Sequence, residues 1–417
     1  MEIVKKIINN IPVTFVKTKK FKSVVGKVYF KSRVTRENIT ARTLLKSVLI
    51  ESTKKYNTNE NLNINCLENY DAYYNTTVSR LGNYITNSFF FGTLSDEYTE
   101  DGNLENVIDT FCEIIFNPNV TNEKFDKESF DLNVKRLKTA YERRMENQRS
   151  YAELRVLKHL NQDKAYSYDI DLECLEKITP NSLYAEYVDM LNNSMVSLII
   201  VGDVDENDKV YEKIISNIKI NKKYDFDLFI NNDDENSKFK EIIENANGTQ
   251  SVLHMICYLK NVTDYELHYV LPLYKSILGG GGSSRIFNTV REENSLAYYA
   301  FARLEKDDKY IDIIAGIEKE NYEKTVKLIK EELKKMNKIT DEELENAKKE
   351  LISTLRESED NITNVLSRRR VEELFTLPST NEFIEKLSNV SKEEVEKMHE
   401  KVDLKLSYFL QGSDNNG

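Results

Sequence analysis

The chain reads as one unit used twice, and no other feature restricts its possible folds as much. A strand-like run, Ser88 to Leu94, precedes an amphipathic helical stretch, Leu104 to Phe116, and the same succession returns as Tyr310 to Ile317 and Tyr322 to Met336. Thr121-Asn-Glu123 then opens a long helical run through Arg149; Thr340-Asp-Glu-Glu343, with the spacing of a capping box, opens its counterpart. Thr179-Pro180 starts a helix with proline at the first helical position, and Met195 to Val201 follows as a strand. Ser391-Lys-Glu-Glu394 and the strand Leu404 to Leu410 close the second half in the same way. The offsets are 219 residues (Thr121 to Thr340) and 212 (Thr179 to Ser391). They predict an α+β protein of two tandem homologous domains, each a mainly antiparallel sheet packed with helices. A chain of 417 residues is also too long for one ordinary core. The expected division is 1–225, a linker at 226–245, and 246–417. Asn, Asp and Lys dominate the stretch from Asn221 to Asn247, and periodicity fades there.

Bulk properties exclude several classes of function. Hydrophobic residues make up 40% of the chain, enough for packed cores, yet no apolar run approaches the roughly 18 to 20 residues of a membrane span. The N-terminus, MEIVKKIINNIPVTFVK, alternates like a strand and lacks an apolar signal core, so a cytoplasmic protein is expected. A net charge of −11, with acids and bases interleaved, disfavours nucleic acid as a partner. Cys66, Cys112, Cys174 and Cys257 lie far apart without CxxC spacing, which suits free thiols in a reducing compartment.

The stretch from Leu278 to Ala300, LGGGGSSRIFNTVREENSLAYYA, carries the functional signal. Gly279, Gly280, Gly281 and Gly282 stand between an apolar run and a helix-like run in which Ser283 and Ser284 are good N-caps. Ile286, Phe287 and Val290 form its apolar stripe, and Leu296 to Ala302 reads as a strand. Arg291 and Tyr298 stand seven residues apart, at the far end of that helix and the start of that strand.

This segment resembles the second-domain segment of the insulinase-type (M16) zinc peptidases, where a glycine-rich loop is followed by a Ser-Ser-Arg-x-Phe helix, an Arg-Glu pair and Leu-Ala-Tyr. The resemblance implies a LuxS/metallopeptidase-like fold of paired α+β domains. Active members carry His-x-x-Glu-His early in the first domain: two His one helical turn apart bind zinc, and the Glu acts as general base. This chain has four histidines, His159, His254, His268 and His399, none at that spacing. Aligned on Ser52-Thr-Lys-Lys55, the motif positions fall on Thr43, Lys46 and Ser47, in an amphipathic helix with Leu44, Leu45, Val48 and Leu49 on its core face. The third ligand, a Glu on the helix after Asn117-Pro118, falls near Asn133 to Lys135, where no carboxylate stands. No metal or other cofactor is therefore expected in this chain.

In insulinase-type clamps the last domain of one half faces the zinc of the other and contributes an Arg and a Tyr near the scissile bond. Arg291 and Tyr298 match that pair in type and spacing. The resemblance thus implies an inactive subunit, as in bacterial heterodimeric M16 pairs, whose partner carries His-x-x-Glu-His and zinc. Its ligand would be peptide, and the glycines Gly279 to Gly282 would let backbone approach substrate. The competing readings are a homodimeric peptide-binding scaffold and, with no histidine near a suggestive nucleophile in sequence, a metal-independent hydrolase.

Overall fold

The structure, a computed structural model, describes the chain except for residues 220–221, 224–226, 231, 233–237, 247, 249 and 414–417. Its residues cluster into two compact units. The first gathers Met1–Tyr141, Tyr168–Asp227 and Ser358–Leu377; the second gathers Glu142–Ser167, Leu228–Glu357 and Pro378–Gly417. Each unit thus takes one segment from the other half of the chain, so the units are not the contiguous stretches 1–225 and 246–417. Of the stretch read as a linker, 226, 231 and 233–237 lie outside the described residues, and Lys240–Asn245 forms a strand.

The first unit is built on a six-stranded sheet of β1 (Glu2–Ile8), β2 (Ile11–Lys17), β3 (Ser23–Arg33), β4 (Tyr73–Leu81), β5 (Tyr84–Leu94) and β8 (Met195–Gly202) in the order β1-β2-β8-β3-β5-β4. Only β2 and β8 run parallel. The N-terminal run read as one strand is a hairpin: Asn9 and Asn10 hold φ of 50° and 64°, the two left-handed residues of a tight hairpin turn. A further short hairpin joins β6 (Val120–Thr121) and β7 (Lys124–Phe125). The helix expected from Thr121 starts only at Lys127 and ends at Glu146. A separate helix, Gln148–Asn161, follows, because Asn147 caps it by accepting a bond from the Ser150 amide at 3.0 Å.

The second unit holds β9 (Lys240–Asn245), β10 (Ser251–Leu259), β11 (Ala297–Glu305), β12 (Tyr310–Ile317) and β13 (Val402–Gln411), ordered β11-β12-β10-β13-β9. Only β9 and β13 run parallel. Setting β1 aside, the two sheets have the same order and the same directions, β2-β8-β3-β5-β4 answering β9-β13-β10-β12-β11. The twofold use of one α+β unit is therefore real.

The two exchanged segments are counterparts in that repeat, and they dock by different chemistry. In the first unit strand residues alternate between faces. Val24, Val28, Phe30, Leu198 and Ile200 join the main core. Val25, Tyr29, Ile199 and Val201 pack with Val365 and Leu366 of the helix Ile362–Phe375. Arg370 of that helix lies over the Tyr29 ring and donates to Ser197 Oγ at 3.1 Å. In the second unit the helix Gln148–Asn161 meets polar groups. Glu244 of β9 accepts bonds from Tyr151 (2.8 Å), Arg155 Nε (2.9 Å) and the Tyr408 hydroxyl (3.0 Å). His159 stacks on Tyr408, and Glu153 lies 3.4 Å from Arg303. Arg303 also approaches Asp312 at 3.3 Å, and Asp312 lies 3.0 Å from Nδ1 of the fully buried His254.

Candidate functional site

The glycine run ends the helix Leu271–Gly279, and its members do different work. A Cβ on Gly279 would stand 2.6 Å from the Ala302 amide of β11, and one on Gly280 would stand 2.5 Å from Ser276 Cα. Gly279, with the buried Ala300 and Ala302, lets the helix end close against the strand, while Gly280 is crowded by Ser276 of the helix's own last turn. A Cβ on Gly281 would lie 3.2 Å from Glu350 Oε1, whereas Gly282 faces open space. None of the four has a positive φ. Packing therefore accounts for the first two glycines, the Glu350 carboxylate stands close to Gly281, and Gly282 is open.

Ser284 is buried and closes the loop by donating to the Gly281 carbonyl at 2.7 Å. Arg285 makes a two-pronged pair with Glu343 (2.6 and 2.9 Å) and donates to the carbonyls of Lys335 and Lys338. The motif's first arginine is therefore an anchor between elements, a role that sequence alone did not reveal. Glu343 also accepts from the Thr340 amide at 2.7 Å, the reciprocal half of the capping box.

Arg291 and Tyr298 sit on a stretch whose backbone is irregular three times over. Phe287–Glu293 is wound as a π-helix, looser than the α form. Ser295 holds a left-handed φ of 51°, pinned by its amide on the Arg291 carbonyl and by the Leu296 amide on the Val290 carbonyl. Tyr298 is then the extra residue of a β-bulge, since Ala297 pairs with Ile317 and Tyr299 with the adjacent Gly316. The left-handed serine costs on the order of 1 kcal/mol, and π-turns and bulges recur at functional sites.

Their product is two exposed polar side chains. Ile286 and Val290 are buried and hold the helix down, while the Arg291 side chain is 45% exposed. Its guanidinium lies 4.8 Å from the centre of the Phe287 ring, one turn earlier, and 3.8 Å from Glu292. Tyr298 is 59% exposed, unlike its half-buried neighbours Ala297 and Tyr299, and its hydroxyl donates to Glu318. That carboxylate pushes the phenol above its ordinary range. The bulge thus turns Tyr298 outward, whereas Tyr299 lies across Gly316.

The helix Arg36–Glu51 of the first unit carries Thr43, Lys46 and Ser47, and Leu44, Leu45, Val48 and Leu49 are buried beneath it. The Thr43 hydroxyl is spent on the Ile39 carbonyl at 2.7 Å, and the Lys46 carbonyl accepts from Thr76 at 2.8 Å. Asn133, near the third-ligand position, is buried and donates to the Ser129 carbonyl. A zinc ion needs imidazole, thiolate or carboxylate donors, and an ammonium at Lys46 opposes it. These residues do not fit the metal. Among the described residues no group of three or more His, Cys, Asp and Glu side chains is placed to hold one, and no helix is long and apolar enough to cross a membrane.

Comparison with known proteins agrees with this geometry. Residues 177–351 match the family described as Peptidase M16 inactive domain. Over 410 residues, 96% of this chain and 95% of the relative, the sequence is 26% identical to the probable inactive metalloprotease YmfF of Bacillus subtilis strain 168. A conserved protein from Enterococcus faecalis V583 superposes over the full length of both chains with a TM-score of 0.89 and 26% identity. A peptidase M16 inactive domain from Pseudomonas fluorescens does so with a TM-score of 0.81 and 16% identity, a likeness of fold. In sequence over residues 177–351, and in fold over its whole length, the chain is thus similar to proteins described as inactive M16 peptidases.

Proposed function

We propose that this chain is the non-catalytic subunit of a heterodimeric M16-type zinc endopeptidase, holding peptide substrate and lending Arg291 and Tyr298 to a partner that carries His-x-x-Glu-His and the zinc. The observation that carries this reading is the strained, exposed presentation of those two side chains: a bulge and a left-handed serine are poor ways to make a surface salt bridge. As a peptide bond is hydrolysed, the carbonyl oxygen gains negative charge. A fixed guanidinium and a phenol O–H stabilise that charge as it develops. Gly282, where a Cβ would meet nothing, leaves backbone accessible to a peptide.

The test is the complex reconstituted with the related chain bearing the intact motif. Arg291→Ala and Tyr298→Phe should each lower kcat about 10²- to 10³-fold without disturbing assembly, Arg291→Ala the more, as expected for a lost oxyanion donor. Arg291→Lys should recover only part, because an ammonium lacks the planar fork. A turnover near wild type in Arg291→Ala sinks the reading. The engagement of Tyr298 by Glu318 favours the second reading, a homodimeric peptide-binding scaffold. In that case the pair is structural, and Glu318→Gln should lower stability. In the first reading Glu318→Gln frees the phenol and leaves kcat no lower.

A further inference from the structure

A pocket of about 380 Å³ in the second unit lies where the last turn of the helix Gln148–Asn161 meets β9, β10 and β13. Lys158 and His159 come from the helix, Lys238 and Lys240 from β9 and the residues before it, Tyr258 from β10, and Lys405 from β13. Four ammonium groups from three separate stretches thus converge in a chain whose 70 acids outnumber its 59 bases. Lys158, Lys238 and Lys240 make no ion pair with a described residue. Lys405 is buried, 2.8 Å from Asp403, and Asp403 is shared with Lys260. Burial alone would raise the Asp403 carboxyl, but bonds from Lys260 and Lys405 hold it below its usual range. One carboxylate between two ammoniums leaves the pocket with surplus positive charge.

The ordinary explanation is that lysines near a helix C-terminus answer its dipole. It covers Lys158 and leaves Lys240 and Lys405, which belong to the sheet, and Lys238 just before it. A concave wall lined by one sign of charge focuses its field on the space inside. We propose that this pocket binds a compact polyanion bearing two or more phosphate groups. Ammoniums act as point charges and suit tetrahedral oxyanions without a planar fork, and the pocket holds no arginine fork for paired carboxylates. The volume lies at the small end of ligand sites, about 300 to 1,000 Å³, right for a few phosphates. This site is independent of Arg291 and Tyr298.

The test is calorimetric titration of the full chain at about 0.15 M salt, where only close charges remain unscreened, with sodium tripolyphosphate, ATP and citrate. Tripolyphosphate should bind, and Lys158→Glu with Lys240→Glu, both exposed and so tolerated by the fold, should weaken it at least about tenfold. ATP binding more tightly than tripolyphosphate makes the source a nucleotide, and weaker binding makes it free oligophosphate. The proposal falls if tripolyphosphate does not bind, if citrate binds as tightly, or if the double charge reversal changes nothing.

Discussion

At the scale of single residues, the four glycines differ in what packs against them. Gly279→Ala would force a methyl to 2.6 Å from the Ala302 amide, and overpacking of this kind costs typically about 1 to 3 kcal/mol. Gly282→Ala meets nothing and should fall within about 0.5 kcal/mol of wild type. Urea unfolding of the two variants checks this, and equal stabilities would mean that the helix end does not press on β11. Sequence showed the run but not the division within it, because the atoms that crowd Gly279 belong to a strand more than twenty residues away. Spacing made Arg291 and Tyr298 legible as candidates. The outward turn of Tyr298 was not, since it depends on the register against β12.

Elements were read best where periodicity was strong. β5, β8, β12 and β13, the helices at Asn103–Phe116 and Tyr322–Lys335, the helix start at Thr179-Pro180 and the capping box at Thr340 stand where the pattern put them. The break at Asn147 was lost because good helix formers flank it on both sides. The hairpin at Asn9-Asn10 was lost because strand alternation continues through the turn. The two exchanged helices should also respond differently to acid. Burial would raise the Glu244 carboxyl, but bonds from Tyr151, Arg155 and Tyr408 hold it below 4.5. A carboxylate depressed in the folded state contributes stability above 4.5, and that stability is lost as pH falls through the folded value. Relative to its intrinsic rate, amide exchange should therefore accelerate in Gln148–Asn161 as pH falls below 4.5 and much less in Ile362–Phe375, whose Val365 and Leu366 join an apolar cluster. Equal acceleration in both would show that Glu244 does not control docking.

For the whole molecule, the exchange makes two repeats into one folding problem. The stretch 1–225 alone lacks Ile362–Phe375 and would expose Val25, Tyr29, Ile199 and Val201; the stretch 246–417 alone lacks Gln148–Asn161. Each produced separately should aggregate or stay molten, and co-expression should recover soluble, protease-resistant material. A sharp, dispersed NMR spectrum from either stretch by itself would contradict this.

That exchange also sets a clock during synthesis. The strands that Ile362–Phe375 covers are complete once β8 has been made, but the helix emerges some 160 residues later. At ribosomal speeds of about 5 to 20 residues per second, the sheet must wait roughly ten to thirty seconds with an oily face bare. For that interval the nascent chain is a natural client for a holding chaperone. A mutation that slows translation between Gly202 and Ile362 should lower the yield of folded protein without altering a single contact in it.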